Sequence, residues 1–322
     1  MFEVSTYELF VLSIGAMLFG LALLMKGGDW TVDAAVFVAE RFGLSPLFIG
    51  ATIIAFGTSV PELFTSVNAN LSGYPGIALG NVLGSNVANI LLVLGATAIV
   101  YRVSTKRSSL IKDLMVMLLA TGLMTYAILG DVISRGFGLM MFAILVGFII
   151  YQFKTDSIPH DEIESEVHGP EIKSFGSAFL VLLGGVAALA VGSELLVQGA
   201  VQTGTAIGVP EAVIGLTVVA FGTSLPELST CIAAARKQSV GLIIGNIIGS
   251  NTFNILSIVG LTAAVKPIWV DPVLVGAELW VMVGVSVLLA VWMLTIGRIT
   301  RPVGIVMVAA YVAFIAAQYL IA

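Results

Sequence analysis

The chain has 322 residues, of which 58% are hydrophobic and only 10% charged. A soluble globular protein carries about a quarter charged residues, so this composition belongs to a protein of the bilayer. The net charge of −5 offers nothing to nucleic acid, and the single cysteine, Cys231, excludes a disulfide framework within one chain.

Ten spans are predicted, at roughly 7–25, 44–71, 75–100, 110–129, 136–153, 175–198, 210–235, 239–265, 275–296 and 302–321. Crossing a bilayer takes about 20 apolar residues, and the uncharged runs Leu9–Met25 and Phe175–Ser193 approach that length. The run Leu63–Tyr101 is long enough for two passes, with Tyr74-Pro75-Gly76 as the turn between them. The first span lacks the basic start and small-residue cleavage site of a signal peptide, so it reads as retained. Residues 154–174 are the one polar interruption, with Asp156, Asp161, Glu162, Glu164, Glu166 and Glu171. They read as a solvated acidic linker joining a first unit, 1–153, to a second, 175–322. Both histidines, His160 and His168, fall in it, which argues against a buried histidine-based metal or catalytic site.

Basic residues set orientation, because loops rich in Lys and Arg stay on the cytoplasmic side. With the N-terminus outside, the inner loops hold Lys26, Arg41, Arg102, Lys106, Arg107, Lys112, Lys154, Lys173, Arg236, Lys237, Arg298 and Arg301. The outer loops hold only Arg135 and Lys266. Both termini are therefore expected outside, in a prokaryotic plasma (inner) membrane.

The hexapeptide Gly57-Thr58-Ser59-Val60-Pro61-Glu62 returns 165 positions later as Gly222-Thr223-Ser224-Leu225-Pro226-Glu227. Residues 49–63 and 214–228 share 11 of 15 identities, and 80–90 and 245–255 share 7 of 11 at the same offset. Five spans per copy is an odd number, so the second copy enters the membrane upside down. The expected fold is all-α and integral to the membrane: ten transmembrane helices as two inverted five-helix repeats, with broken helices at the midplane. Such inverted repeats place a binding site near the midplane, where the copies face each other.

A carboxylate inside an apolar span is costly and marks function, which singles out Glu62 and Glu227. Pro61 has no N–H, so the carbonyl of Gly57 loses its helical donor. In hydrocarbon a freed carbonyl must line a cavity or meet an ion, so loose carbonyls are expected close to Ala55–Thr58. Thr58 and Glu62, four apart, project from one helix face. The second copy repeats this with Ala220, Thr223 and Glu227. The neighbouring block adds Ser85 and Asn89, with Ser250 and Asn254 as its copy; Asn81, Asn86, Asn246 and Asn251 read as bonds between helices. Asp29 and Glu194, also 165 apart, read as lining an approach or pairing locally. The set is oxygen throughout, which suits hard cations such as Ca²⁺ or Na⁺.

At these residues the sequence resembles the cation/calcium exchanger superfamily, in particular its sodium/calcium exchanger branch. The paired Gly-Thr-Ser-x-Pro-Glu and Gly-Asn-x-x-Gly-Ser-Asn-x-x-Asn blocks carry the resemblance, which spans essentially the whole membrane part. It implies alternating access of three Na⁺ or one Ca²⁺ to a central site, an antiporter rather than an enzyme, and no cofactor. Carried over by position, the Ca²⁺ ligands are Glu62 and Glu227 with the carbonyls of Thr58 and Thr223. The Na⁺ sites draw on Ala55, Thr58, Ser59, Ser85, Ala220, Thr223, Ser224 and Ser250, while Asn89 and Asn254 complete the centre. The resemblance also implies that the first and sixth spans slide as a gate. Asn254, where potassium-dependent relatives carry Asp, argues against K⁺ coupling. The partners implied are Ca²⁺, Na⁺ and the lipid bilayer, with the chain as a monomer.

Three other readings stay open on the residues alone. A Ca²⁺/H⁺ antiporter would use the same two glutamates as proton carriers. An intramembrane enzyme would use them as an acid–base pair, although the chain has no His-Glu-x-x-His motif. A channel is the third.

Overall fold

A computed structural model describes residues 6–155, 172, 174–206, 222, 224–270 and 276–321. The chain enters on α1 (Thr6–Phe42) and returns on two helices, α2 (Pro46–Thr58) and α3 (Val60–Leu71), bent by 45° at Ser59. Then follow α4 (Pro75–Val100), α5 (Arg107–Ile128) and α6 (Arg135–Thr155). The second half contributes α7 (Phe175–Ala206), α8 (Leu225–Arg236), α9 (Val240–Val265), α10 (Ala277–Thr295) and α11 (Arg301–Ile321). The expected seventh span begins outside the described residues, and α8 is its second part. The acidic linker is almost wholly outside them too, as are both extreme termini. Among the described residues, seven helices are long and apolar enough to cross a membrane, or eight with the bent pair, and α11 adds a further apolar helix. The all-α membrane fold stands, and the helix order is consistent with ten spans.

The first span departs from expectation. It was expected to end at residue 25, with the next span starting at 44, but α1 continues unbroken to Phe42. At 1.5 Å per residue it is about 55 Å long, well beyond the ~30 Å hydrocarbon layer. Tertiary packing explains the extension. A side chain at Gly27 would lie 2.9 Å from the backbone oxygen of Gly185, and one at Gly28 would lie 2.8 Å from that of Ser229. Both glycines are close-contact points rather than bends. Further along, Val32, Ala35, Val36 and Ala39 are buried in the core, and Asp29 and Asp33 pair with Arg236 and Lys237. The helix stops at Gly43, whose positive φ of 62° lets the Leu44 N–H reach back to the Ala39 carbonyl. The sixth span likewise exceeds its expected end, reaching Ala206. The α1 and α7 helices pack along each other.

Contacts across the molecule come in reciprocal pairs. Two short antiparallel strand pairs lie at its ends: β1 (Val103–Ser104) with β4 (Arg298–Ile299), and β2 (Val132–Ile133) with β3 (Ile268–Trp269). Positions 103 and 268 are repeat-related, and 133 and 299 differ by one residue more. Gly20 crosses Gly192, and Gly27 crosses Gly185, each pair the 165-residue image of the other. Even the turn at Gly73 (φ 90°) has its counterpart at Gln238 (φ 59°), where a side chain is held in the left-handed region. Two halves related by a two-fold axis would make these contacts. At their centre run α4 and α9; every residue from Leu242 to Phe253 is buried.

Each of these central helices contains a wider, π-helical turn: Asn89–Leu94 in α4 and Asn254–Val259 in α9. A third lies in α2 at Gly50–Ile54. Such turns are rare and concentrate at functional sites. Here two of them begin on the repeat-related asparagines.

Candidate cation site

The site is assembled from the bent pair α2–α3, the start of α8 and two π-helical turns. In the first half, Pro61 cannot donate to Gly57, and the chain departs from helix at Ser59 (φ −87°, ψ 2°). In the second half, Ser224 does the same before Pro226 (φ −90°, ψ 4°). Each break starts a new helix whose first turn carries the glutamate, Glu62 in α3 and Glu227 in α8. Backbone N–H groups at a helix start are favourable company for a carboxylate.

Both glutamates are only 1% exposed and lie close enough to feel each other's charge. The Ser59 hydroxyl donates to Glu227 Oε1 at 3.4 Å, and Thr58 also adjoins that carboxylate. The first half's motif therefore meets the second half's acid. Asn89 and Asn254 complete the centre through a reciprocal pair of bonds. Asn89 Nδ2 donates to Asn251 Oδ1 at 3.3 Å, and Asn254 Nδ2 donates to Asn86 Oδ1 at 3.4 Å. Each bond occupies the amide nitrogen and leaves the side-chain oxygen over.

Among the described residues, five buried side-chain oxygens in this region have no hydrogen-bond partner: Glu62 Oε2, Glu227 Oε2, Asn89 Oδ1, Asn254 Oδ1 and Ser224 Oγ. Buried oxygens are normally bonded, and orphans in hydrocarbon cost several kcal/mol each. A hard cation satisfies such a set, because carboxylate, amide and hydroxyl oxygens are its preferred ligands. No cluster of three or more His, Cys, Asp or Glu side chains occurs among the described residues. The donor chemistry is that of Ca²⁺ or Na⁺ rather than a thiolate- or imidazole-seeking metal.

Other expected ligands are placed less simply. Ala55 and Thr58 are buried beside the break, but the Ala55 carbonyl is not loose. It accepts the Ser59 N–H at 3.1 Å and the Thr58 hydroxyl at 3.4 Å. The break falls at Ser59, one residue later than the expected free carbonyls require. Ser85 and Ser250 are buried on α4 and α9, and the Ser250 hydroxyl donates to Asn246 Oδ1 at 3.3 Å. Ala220 and Thr223 lie outside the described residues. The Gly222 carbonyl, deprived of its donor by Pro226, accepts the Ser193 hydroxyl from α7 at 2.5 Å. Sequence reasoning missed that partner; its repeat counterpart is Gly28, so the duplicated motifs could not reveal it.

The supporting asparagines behave as expected. Asn81 Nδ2 donates to the Glu62 backbone oxygen at 3.3 Å and to Ser66 Oγ at 3.0 Å, and Asn246 reaches Cys231 Sγ at 3.3 Å. Asp29 pairs with Arg236 at 3.6 Å, and Glu194 accepts from Gln198 at 3.0 Å, so both pair locally. One buried carboxylate was passed over: Asp113, 4% exposed in the second turn of α5, where Gln152 of α6 donates to it. A charged residue inside an apolar span was the available signal.

The model of the sodium/calcium exchanger protein family matches residues 12–154 and 177–320. An uncharacterized membrane protein of Methanocaldococcus jannaschii is 37% identical over 307 residues, covering 95% of this chain and 98% of that one. The sodium/calcium exchanger MaX1 of Methanosarcina acetivorans is 31% identical over 347 residues, covering 95% and 98%. Among solved structures, the sodium-calcium exchanger NCX_Mj, soaked with 10 mM Na⁺ and 10 mM Sr²⁺, superposes with a TM-score of 0.81 at 33% identity. That match covers 95% of this chain and 98% of the other. With both motif blocks, the family match and the fold in agreement, the chain belongs to the sodium/calcium exchanger protein family.

Proposed function

We propose that the chain is a secondary active antiporter that exchanges Na⁺ for Ca²⁺ by alternating access at the site between α3, α4, α8 and α9. The observation that carries this reading is the group of five unpartnered oxygens, two of them carboxylate. Ca²⁺ is held by Glu62 and Glu227 with the backbone oxygens of Thr58 and Thr223. Na⁺ ions draw on the same carboxylates with Ala55, Ser59, Ser85, Ala220, Ser224 and Ser250, and Asn89 and Asn254 supply amide oxygens. Competition between the ions follows from the shared ligands. The exchangers named among the relatives support this substrate pair.

Two carboxylates neutralise one Ca²⁺, whereas three Na⁺ leave the site at +1. Three-for-one exchange then moves one net charge per cycle, which a 100 mV potential biases by about 2.3 kcal/mol. The chain is organised as two inverted repeats, 1–153 and 175–322, joined by the acidic linker 154–174 on the cytoplasmic side. It works as a monomer in a plasma membrane with both termini outside, an orientation carried by the twelve-to-two distribution of Lys and Arg. Asn254 in place of an acid supports exchange independent of K⁺.

Two expected results test this site. Replacing Asn251 by Ala removes the acceptor that turns Asn89, and Ca²⁺ half-saturation should rise about tenfold, as for other residues that orient ligands. Uptake titrated with Ca²⁺ at fixed internal Na⁺ measures it; an unchanged half-saturation would remove Asn89 from the site. Acidification should also inhibit, because a proton on either glutamate removes charge that both ions need. Raising Ca²⁺ should relieve that inhibition. Uptake that instead rises with an imposed proton gradient, and ignores Na⁺, would make the protein a Ca²⁺/H⁺ antiporter.

A further inference from the structure

Two ion pairs fasten α1 to the end of α8: Asp29 with Arg236 at 3.6 Å, and Asp33 with Lys237. Asp29 and Asp33 are four apart, so one face of α1 presents both. Between these pairs and Glu227 the same stretch of α1 covers α8. Gly28 meets the Ser229 backbone, and Val32, Ala35 and Val36 share a core with Cys231, Ala233 and Ala234. A third bond, from the Ser193 hydroxyl of α7 to the Gly222 carbonyl at 2.5 Å, holds the chain just before the break at Ser224.

The residues 165 positions away from these three contacts cannot repeat them. The images of Asp29 and Asp33 are Glu194 and Gln198, and those of Arg236 and Lys237 are the uncharged Leu71 and Ser72. Glu194 and Gln198 are exposed and bond to each other. The image of Ser193 is Gly28, which has no hydroxyl to offer Gly57. On α3 the positions that match the covered part of α8 stand open. Phe64 and Thr65 are exposed, where Ser229 is half-buried and Thr230 buried.

We propose that the three bonds form a one-sided latch that keeps the cytoplasmic end of the cation site closed. The latch rests on the antiporter reading above, which puts Arg236 and Lys237 on the cytoplasmic side. Alternating access between inverted repeats lets each half take the other's conformation in turn. In the exchanged state α7 covers α3 as α1 covers α8 here, and the image residues can form neither ion pair nor the hydroxyl bond. The state with α1 on α8 is therefore favoured over its opposite, and opening toward the cytoplasm breaks both ion pairs. Partly exposed pairs of this kind shift an equilibrium by roughly two- to fivefold each.

The test measures electron–electron distances in the full chain in lipid nanodiscs, with spin labels attached through Glu40→Cys on α1 and Ser108→Cys on α5. Both positions are exposed, and Cys231→Ser, which copies its image Ser66, removes the native thiol. Asp29→Asn/Asp33→Asn should raise the ratio of the second distance population to the native one roughly tenfold. Asp33→Lys alone should raise it too, and Asp33→Lys/Lys237→Asp should restore the native distribution. Arg236→Gln/Lys237→Gln serves if the first variant does not fold. An unchanged distribution, or an exchange of charges that restores nothing, would overturn the latch. Transport then reports the side. In Asp29→Asn/Asp33→Asn the cytoplasmic half-saturation for Ca²⁺ should fall roughly fivefold while the extracellular one does not, because a larger share of the chain opens inward. Equal changes at both faces would overturn the latch as well. A distance shift in a chain that shows no Na⁺-driven Ca²⁺ uptake would leave the latch standing and remove the antiporter reading instead.

Discussion

Glu62→Gln or Glu227→Gln should reduce Ca²⁺ transport by about 10²-fold or more while leaving the protein folded. The glutamine keeps the size of the side chain and its oxygen, so packing in the first turn of α3 or α8 is preserved. What is lost is one of two negative charges facing a divalent cation at a site from which water is excluded. Removing one partner of a buried charge interaction costs about 3–5 kcal/mol, and each 1.4 kcal/mol is a factor of ten in affinity. Glu→Asp at either position keeps the charge but withdraws it by one methylene, so an intermediate loss is expected. Uptake of ⁴⁵Ca²⁺ by reconstituted variants, normalised to folded protein, gives the comparison. Full transport by Glu62→Gln would contradict the shared-carboxylate account.

Gly185→Leu should separate α1 from α7 and lower the unfolding temperature sharply. A Cβ at this position would lie 2.5 Å from the Thr31 hydroxyl, 2.9 Å from the Thr31 backbone nitrogen and 3.0 Å from the Gly27 carbonyl. Two of these neighbours are backbone and cannot rotate away, and Thr31 is itself bonded to the Gly27 carbonyl at 2.7 Å. Overpacking of this kind typically costs 1–3 kcal/mol, and a leucine against backbone belongs at the upper end. Gly184→Leu is the control, since a Cβ there meets nothing within 4 Å. Thermal unfolding should separate the two variants clearly. Equal stability would mean that α1 and α7 do not pack through these glycines. If the pair moves as one unit during transport, Gly185→Leu should also lose transport in the fraction that remains folded.

The sequence carried the architecture where a feature was duplicated. Glu62 and Glu227, Ser59 and Ser224, and Asn89 and Asn254 were visible because each occurs twice at one offset, inside apolar runs where polar groups are expensive. Span positions from 107 to 155 and from 240 to 321 were legible within a few residues, since hydrophobic runs there end on charges and turns. The extent of α1 was not, because the charges from Lys26 onward end the apolar run, while Gly27 and Gly28 act as a contact patch in the fold. The Ala55 carbonyl was expected to be loose because proline was considered without the compensating bonds at Ser59. The Ser193–Gly222 bond has no repeat counterpart, and Asp113 stood next to Lys112 at a span end, where a charge is ordinary. Except at Ala55, where the compensating bonds are local, the deciding fact was which helix lay opposite, and that depends on the fold.

The most direct test is ⁴⁵Ca²⁺ uptake into Na⁺-loaded proteoliposomes containing the purified chain, with the outside free of Na⁺. The account predicts uptake that requires internal Na⁺, collapses when the Na⁺ gradient is dissipated, and disappears in Glu62→Gln and Glu227→Gln. Uptake that proceeds equally without internal Na⁺, or that survives both substitutions, would contradict it.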